Sequence, residues 1–394
     1  MNQNIPLLKK YLPLALGGIM LSASIGLMST IGVTADKRHD KKAFSEANLK
    51  VDTVATGLTM PWASALLPNG DLLVTERGGK LRLVKDGKLD PQEISGIPEV
   101  LYKGQGGLLD IALHPDYKTN GWIYISYSSP KKAGEEGDDG GANTALMRAK
   151  LKDHALTDIQ QLFKAIPNVK ANVHYGGRIV FDKKGYVFLS LGERGQKENS
   201  QSLAKDQGKV VRLHEDGKIP ADNPFVKTEG ARPEIWTYGH RNPQGLIINP
   251  TTGVIWEHEH GPQGGDELNI IEKGKNYGWP LITFGIDYDN SIISKDTARA
   301  GLEQPVAYWK PSIAPCGITF LSNDKYKEWK GDLLVGSLKF AYLQHLTVKG
   351  NKVTKREIIF DKIGRVRDVR MATDGNVYVV LESSGKVVRI SPKS

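Results

Sequence analysis

The chain has 394 residues, 39% of them hydrophobic and 25% charged, with a net charge of +9 at neutral pH. That balance excludes a disordered chain, and the length suits either two or three average domains or one large β-propeller or barrel. The positive charge does not imply a nucleic-acid partner, because basic residues are scattered among acidic ones and no dense Lys/Arg run carries interleaved aromatics; it suits small anionic ligands.

The N-terminus reads as a separate object. Lys9 and Lys10 precede an apolar, small-residue stretch from Tyr11 to Val33, and Val33-Thr34-Ala35 ends it on small residues. This pattern predicts a signal peptide over 1–35, cleaved before Asp36, and therefore a periplasmic or secreted protein with no stable membrane insertion after cleavage. An uncleaved anchor is the alternative, since the stretch is long enough to span a bilayer. Residues 36–48 read as a polar linker, and the mature fold is expected over 49–394. Cys316 is the only cysteine, so no internal disulfide can form and the residue is expected to be small and buried.

Beyond the linker one short pattern recurs: a turn ending in Gly, then a run of β-branched, aliphatic or aromatic residues. It occurs at Gly70, Gly121, Gly185, Gly253, Gly331 and Gly375. The glycine supplies positive φ and the run supplies a strand. Six copies at about sixty-residue spacing exceed the ~40–50 of simple propeller repeats, and the extra length belongs to loops on one face. Clear amphipathic helices are scarce, with Thr157–Ala165 as one weak candidate. The expected fold is all-β, a six-bladed β-propeller of four-stranded antiparallel sheets; a two-domain β-sandwich is the alternative. The Gly-rich acidic stretch 133–143 lacks calcium-loop spacing and reads as a solvated loop.

Several segments could carry chemistry. Gly104-Gln105-Gly106-Gly107-Leu108-Leu109 fails the dinucleotide pattern, because Leu109 stands at the third glycine position. His174 precedes one strand and Glu193 ends the next, nineteen residues on. Consecutive antiparallel strands return to the same rim, so the carboxylate could fix the tautomer of an imidazole base. An unrelated turn histidine and surface glutamate remain the plainer reading. Gly239-His240-Arg241-Asn242-Pro243-Gln244-Gly245 packs a cation, an imidazole and two carboxamides around a turn, and Gly261-Pro262 follows with Asp266-Glu267. That mixture is poor core material and suits an anion bound together with a hard cation. His258-Glu259-His260 has no third zinc ligand at a recognisable spacing, and its surroundings are oxygen donors. Arg365 and Arg367 share one face of a strand, and Lys339 follows a blade strand.

These motifs, in this order from about Leu58 to Ile390, resemble the soluble pyrroloquinoline-quinone (PQQ) dependent sugar dehydrogenases, especially the aldose sugar dehydrogenase branch of the glucose/sorbosone dehydrogenase family. Asn276-Tyr277-Gly278-Trp279-Pro280 belongs to the same set. The resemblance implies a six-bladed propeller that binds PQQ and calcium, oxidises an aldose at the anomeric carbon to a lactone, and passes electrons to an external acceptor. It implies His174 as the base, Glu193 as its acidic partner and Arg241 beside the quinone oxygen. Gln105, Asn242, Gln244, Lys339, Arg365 and Arg367 match cofactor-binding positions, with Trp309 as a further aromatic contact. Carbonyls of Gly261 and Pro262 match ligands of the cofactor calcium; Glu267 and the Tyr277 carbonyl match a second one. Val173 stands where the glucose-specific branch has an aspartate, and that branch's long insertions and dimer interface are missing, which points away from narrow glucose specificity and toward a monomer. The rival expectations are a calcium-dependent propeller lactonase and a non-enzymatic propeller binding module.

Overall fold

The structure is a computed structural model that describes residues 44–393. Its strands form six four-stranded antiparallel sheets, five of them meanders in chain order. The first blade comprises Pro61–Leu66, Leu72–Glu76, Lys80–Lys85 and Lys88–Leu89; the second comprises Leu108–Leu113, Trp122–Pro130, Ala142–Lys152 and Ala155–Lys164. The third holds Ile179–Phe181, Tyr186–Leu191, Lys209–His214 and Ile235–Tyr238, and the fourth Pro243–Ile248, Ile255–Glu259, Asp266–Ile271 and Ala307–Trp309. Pro315–Phe320, Leu333–Ser337, Leu343–Lys349 and Lys352–Ile359 make the fifth. In the sixth, Val366–Met371, Val377–Leu381 and Lys386–Pro392 are completed by the N-terminal strand Leu49–Ala55, which pairs Leu49 with Pro392 and Val51 with Ile390. Hydrogen bonds between the two ends of the fold thus close the ring. The first strands of the blades pack side by side around the axis. This is the expected six-bladed propeller.

All six glycines of the repeated pattern sit in the turn between the first and second strands of a blade, each at positive φ. The strand that follows is covered on both faces, so it reads as a continuous apolar run instead of an alternating one. In Tyr186–Leu191, Val187, Leu189 and Leu191 face the second blade while Phe188 faces the fourth. The core is accordingly divided into six apolar clusters, one at each interface between neighbouring blades. The weak helical pattern at 157–165 proves to be the outer strand Ala155–Lys164 of the second blade, half-exposed and hydrogen-bonded on one side to Ala142–Lys152. Its polar residues answer to a solvated edge, where pairing decides the conformation over local propensity.

Residues 44–48 are docked: Phe44 meets Trp329 edge-to-face at 5.0 Å, and the Glu46 carboxylate accepts the Phe360 amide. The expected signal peptide at 1–35 lies outside the described residues. No helix among the described residues is long and apolar enough to cross a membrane.

A buried ion cluster plugs the central channel. Arg178 Nη1 lies 2.6 Å from Asp368 Oδ1 and 3.7 Å from Asp110 Oδ1, and Arg370 pairs with both carboxylates. The Arg178 guanidinium also donates to the carbonyls of Gln244 and Arg367 and stacks over Trp62. Four charges balance, and every blade supplies a group to this cluster or its bonds, the fifth through Cys316, whose Sγ accepts from Arg178 Nη2 at 3.4 Å. Removing one partner from such a cluster would leave an uncompensated charge, at a cost of about 3–5 kcal/mol.

Candidate active site

The face opposite the glycine turns is built by the connections from a blade's second strand to its third and from its fourth strand to the next blade. Gln105, His174, Arg241, Asn242 and Arg365 lie on the inter-blade connections; Glu193, Gly261, Pro262 and Lys339 follow second strands. Gln244, Arg367 and Glu267 lie near the starts of strands rising from the same face. Tyr277 belongs to the 272–306 segment, which runs beside the end of the third blade through Tyr277 N–H to Tyr238 O and Trp279 N–H to Gly239 O.

His174 and Glu193 meet. Nδ1 of the imidazole lies 2.5 Å from Glu193 Oε1, with the carboxylate buried and the ring nearly so. A carboxylate accepting from Nδ1–H leaves Nε2 with its lone pair, the form a general base needs. Burial pushes the imidazole below the ordinary histidine value, Glu193 opposes this, and the Arg241 and Arg194 charges add to it. The ring is therefore neutral at neutral pH. His174 has φ +53°, and its N–H donates to Gln105 Oε1 at 2.8 Å. A Cβ at Gly192 would overlap the His174 carbonyl, which is why glycine begins the turn that carries Glu193.

Arg241 and Asn242 are held from behind by Glu259, whose carboxylate accepts both backbone amides. The Arg241 guanidinium then turns toward the fourth blade's loop and donates from Nη1 to the carbonyls of His260 (3.0 Å) and Gly261 (2.9 Å). Asp266 fixes that loop: its carboxylate accepts the amides of Gly261, Ile313 and Ala314 and the Ser312 hydroxyl. The Gly261 carbonyl thus faces the same side as Arg241.

Between these groups lies a polar cavity of about 100 Å³ lined in part by Gln105, Asn242, Gln244, Arg365, Arg367 and Arg77. Arg365 and Arg367 both pair with buried Glu382, at 2.6 and 2.7 Å, and Arg77 stands 3.9 Å from the same carboxylate. Three guanidinium groups around one carboxylate leave two positive charges in excess, and the buried Nε of Arg77 has no partner. An anion with planar carboxylates matches that donor set. The volume is below the ~300–1,000 Å³ of drug-sized ligand pockets, so a three-ring tricarboxylate would enter it only in part. Sequence reading missed Arg77 and Glu382. The signal was present, because both follow the second strand of a blade, as Glu193, Gly261 and Lys339 do.

Behind Arg241 is a smaller void of about 10 Å³, room for one water or ion, lined in part by Glu259, Gly261, Glu267, Tyr277 and Thr283. Glu257 lies beside Glu259 and His240, their ligand atoms within 4.8 Å of one another. Burial first, and then mutual repulsion, pushes the carboxyls of Glu257 and Glu267 well above the usual range. Oxygen donors with surplus negative charge fit a hard dication. Asn269 donates toward both Glu257 and Glu267, while its own Oδ1 is buried and unpartnered.

Three expected cofactor residues do not line the cavity: Arg241, which lines the smaller void, Trp309 and Lys339. Trp309 ends the outer strand of the fourth blade; its ring packs in the core between the fourth and fifth blades and its Nε1–H donates to Gln344 at 2.7 Å. That position is at the periphery of the ring, away from the cavity. Lys339 is exposed, with Nζ 5.3 Å from the Phe340 ring centre. His258 and His260 are committed to the carbonyls of Gly317 and Pro315, and burial pushes His258 down to about 3. They are neutral structural groups. Cys316 is buried as expected, but among polar groups, with Sγ donating to the Arg367 carbonyl at 2.9 Å.

Fold and site together define a propeller with a histidine–glutamate pair beside a cationic cavity. The family model described as Glucose / Sorbosone dehydrogenase matches residues 58–389, and the chain belongs to that family. It is 47% identical to aldose sugar dehydrogenase YliI of Escherichia coli over 88% of this chain and 94% of that one. Quinoprotein glucose dehydrogenase B of Acinetobacter calcoaceticus is 28% identical over 93% and 94%. The solved PQQ-bound form of aldose sugar dehydrogenase from Streptomyces coelicolor superposes with a TM-score of 0.71 at 28% identity, covering 88% of this chain and 99% of that one.

Proposed function

We propose that the protein is an exported, monomeric PQQ- and calcium-dependent dehydrogenase that oxidises aldoses at the anomeric carbon to lactones. The observation that carries this reading is the His174–Glu193 pair beside a cavity with surplus guanidinium and amide groups. Nε2 of His174 would take the proton of the anomeric hydroxyl, and Glu193 would stabilise the imidazolium that results. PQQ, when bound, supplies the acceptor for the hydride that the anomeric carbon loses, and the two electrons leave to an external acceptor. Arg365, Arg367 and Arg77 would bind its carboxylates, with Gln105, Asn242 and Gln244 orienting it. Arg241 would offer charge to a developing oxyanion. The carbonyls of Gly261 and Pro262 would hold the cofactor calcium, and Glu267 with Tyr277 would hold a second, which Glu257 and Glu259 are placed to share.

Relatives named as aldose sugar dehydrogenase and quinoprotein glucose dehydrogenase support the reading. A lactonase would have no use for three arginines gathered around Glu382. The test is reconstitution of purified protein with PQQ and calcium, followed by sugar-dependent dye reduction. Reduction with several aldoses, lost in His174→Ala, is expected; no reduction with any aldose would overturn the proposal.

A further inference from the structure

We propose that Arg194 is a positioning residue for the base His174: its guanidinium ties together the backbone of the loop that carries the imidazole and keeps a fixed positive charge beside the ring. The inference rests on the dehydrogenase reading only in naming His174 as the base. Arg194 is fully buried, yet among the described residues it forms no salt bridge; its neighbour Glu193 is committed to His174. A buried cation without a carboxylate partner is costly, so its compensation must come from dipoles and rings.

Most of the compensation is drawn from the loop that carries His174. Nε donates to the Val173 carbonyl at 2.9 Å, Nη1 to the Ala142 carbonyl at 2.6 Å and Nη2 to the Ala171 carbonyl. The guanidinium carbon lies 3.5 Å from the centre of the Tyr175 ring, a cation–π contact. The Arg194 amide also donates to the His174 carbonyl. Residues 171, 173, 174 and 175 are therefore all gripped by one residue. The grip has a purpose in the backbone, because His174 holds φ +53° and Arg194 itself φ +60°, both in the left-handed region that side-chain-bearing residues avoid. A planar fork of five donors can hold three carbonyls at once, which an ammonium cannot do with the same geometry.

Charge is the second part. The charged groups acting most strongly on the imidazole are Glu193, which favours the protonated ring, and Arg241 and Arg194, which disfavour it. Glu193 alone would orient the ring but make it harder to deprotonate. Arg194 offsets that, so one ring is both oriented and kept neutral.

Two variants separate the parts. Arg194→Met removes fork and charge, and Arg194→Lys removes the fork and keeps the charge. In the purified full-length protein, without added cofactor, the ring signals of His174 are titrated by NMR, with His174→Gln assigning them. The His174 pKa should rise in Arg194→Met and stay near the wild-type value in Arg194→Lys. In dye reduction with PQQ and calcium, both variants should lose about ten- to a hundredfold in kcat, with a smaller change in KM. Wild-type pKa and kcat in Arg194→Met would overturn the proposal; if that variant does not fold, unchanged kcat in Arg194→Lys overturns the positioning role. Should the wild type oxidise no sugar, the dehydrogenase reading fails, while the titration still decides what Arg194 does to His174.

Discussion

The two faces of this propeller are built by different rules. On one, six connections join first strands to second strands, each with a glycine at positive φ, and at Gly70, Gly185, Gly253 and Gly331 a Cβ would meet nothing. On the other, the connections carry a histidine at positive φ and a buried arginine that forms no salt bridge among the described residues, and Glu259 and Glu267 line one small void beside buried Glu257. The first face is cheap to build and tolerant. The second concentrates strain and uncompensated charge, which is where binding and catalysis place their demands.

Substitutions should separate the faces accordingly. The largest effect is expected for His174→Gln, a loss of about 10²–10⁴-fold in kcat with the melting temperature nearly unchanged, read by dye reduction and calorimetry. The wild-type pH profile belongs with it. Because His174 is held below the ordinary histidine value, the base is already deprotonated at neutral pH. kcat/KM should therefore be flat above about pH 6.5 and fall on the acid side, as protons reach Nε2. A profile still rising between pH 7 and 8 would show that another group is the base.

Next comes Arg77→Met. Losing a charge-assisted contact of about 1.5–3 kcal/mol should weaken PQQ binding about ten- to a hundredfold, measured by titrating the cofactor into the calcium-loaded protein. Unchanged affinity would remove Arg77 from the anion site. Smaller again is the cation behind Arg241. Calcium should raise the melting temperature by several degrees, as any ligand of the folded state does, and Glu267→Gln should abolish most of that rise. The smallest effect is expected on the other face, where Gly185→Ala should cost about 1 kcal/mol through its positive φ and leave kcat and KM unchanged. A loss of activity there would break the contrast between the faces.

Much of this was legible before any coordinates. The six glycine-led runs marked the first-to-second-strand turn of every blade, because a tight turn and a doubly covered strand impose strong residue preferences. His174 and Glu193 were brought within reach by counting antiparallel strands, and Gln105, Asn242, Gln244, Arg365 and Arg367 share a cavity as the family resemblance implied. Trp309 was not legible. Its neighbours in sequence are near the site, but it ends the outermost strand of its blade, and distance from the axis is invisible along the chain. Arg77 and Glu382 were missed because an Arg after Thr-Glu or a Glu before Ser-Ser has no local signature. Only their place at the end of a repeat gives them away. The outer strand at 155–164 was read as weakly helical because a half-exposed edge carries polar residues at irregular spacing.

The sequence by itself determined the blades, their number and the residue types that chemistry would need, since turns and strands depend on neighbours only a few positions away. Ring closure belongs to the tertiary structure, which pairs Leu49–Ala55 with the C-terminal strand and brings residues hundreds of positions apart to one axis. That closure set Arg178, from the third blade, between carboxylates of the second and sixth. It also gathered Arg77, Arg365 and Arg367 around a single glutamate. Which charges meet, and therefore which are neutralised and which are left to bind a ligand, depends on distances of a few ångströms in a medium of low dielectric. No reading along the chain contains those distances.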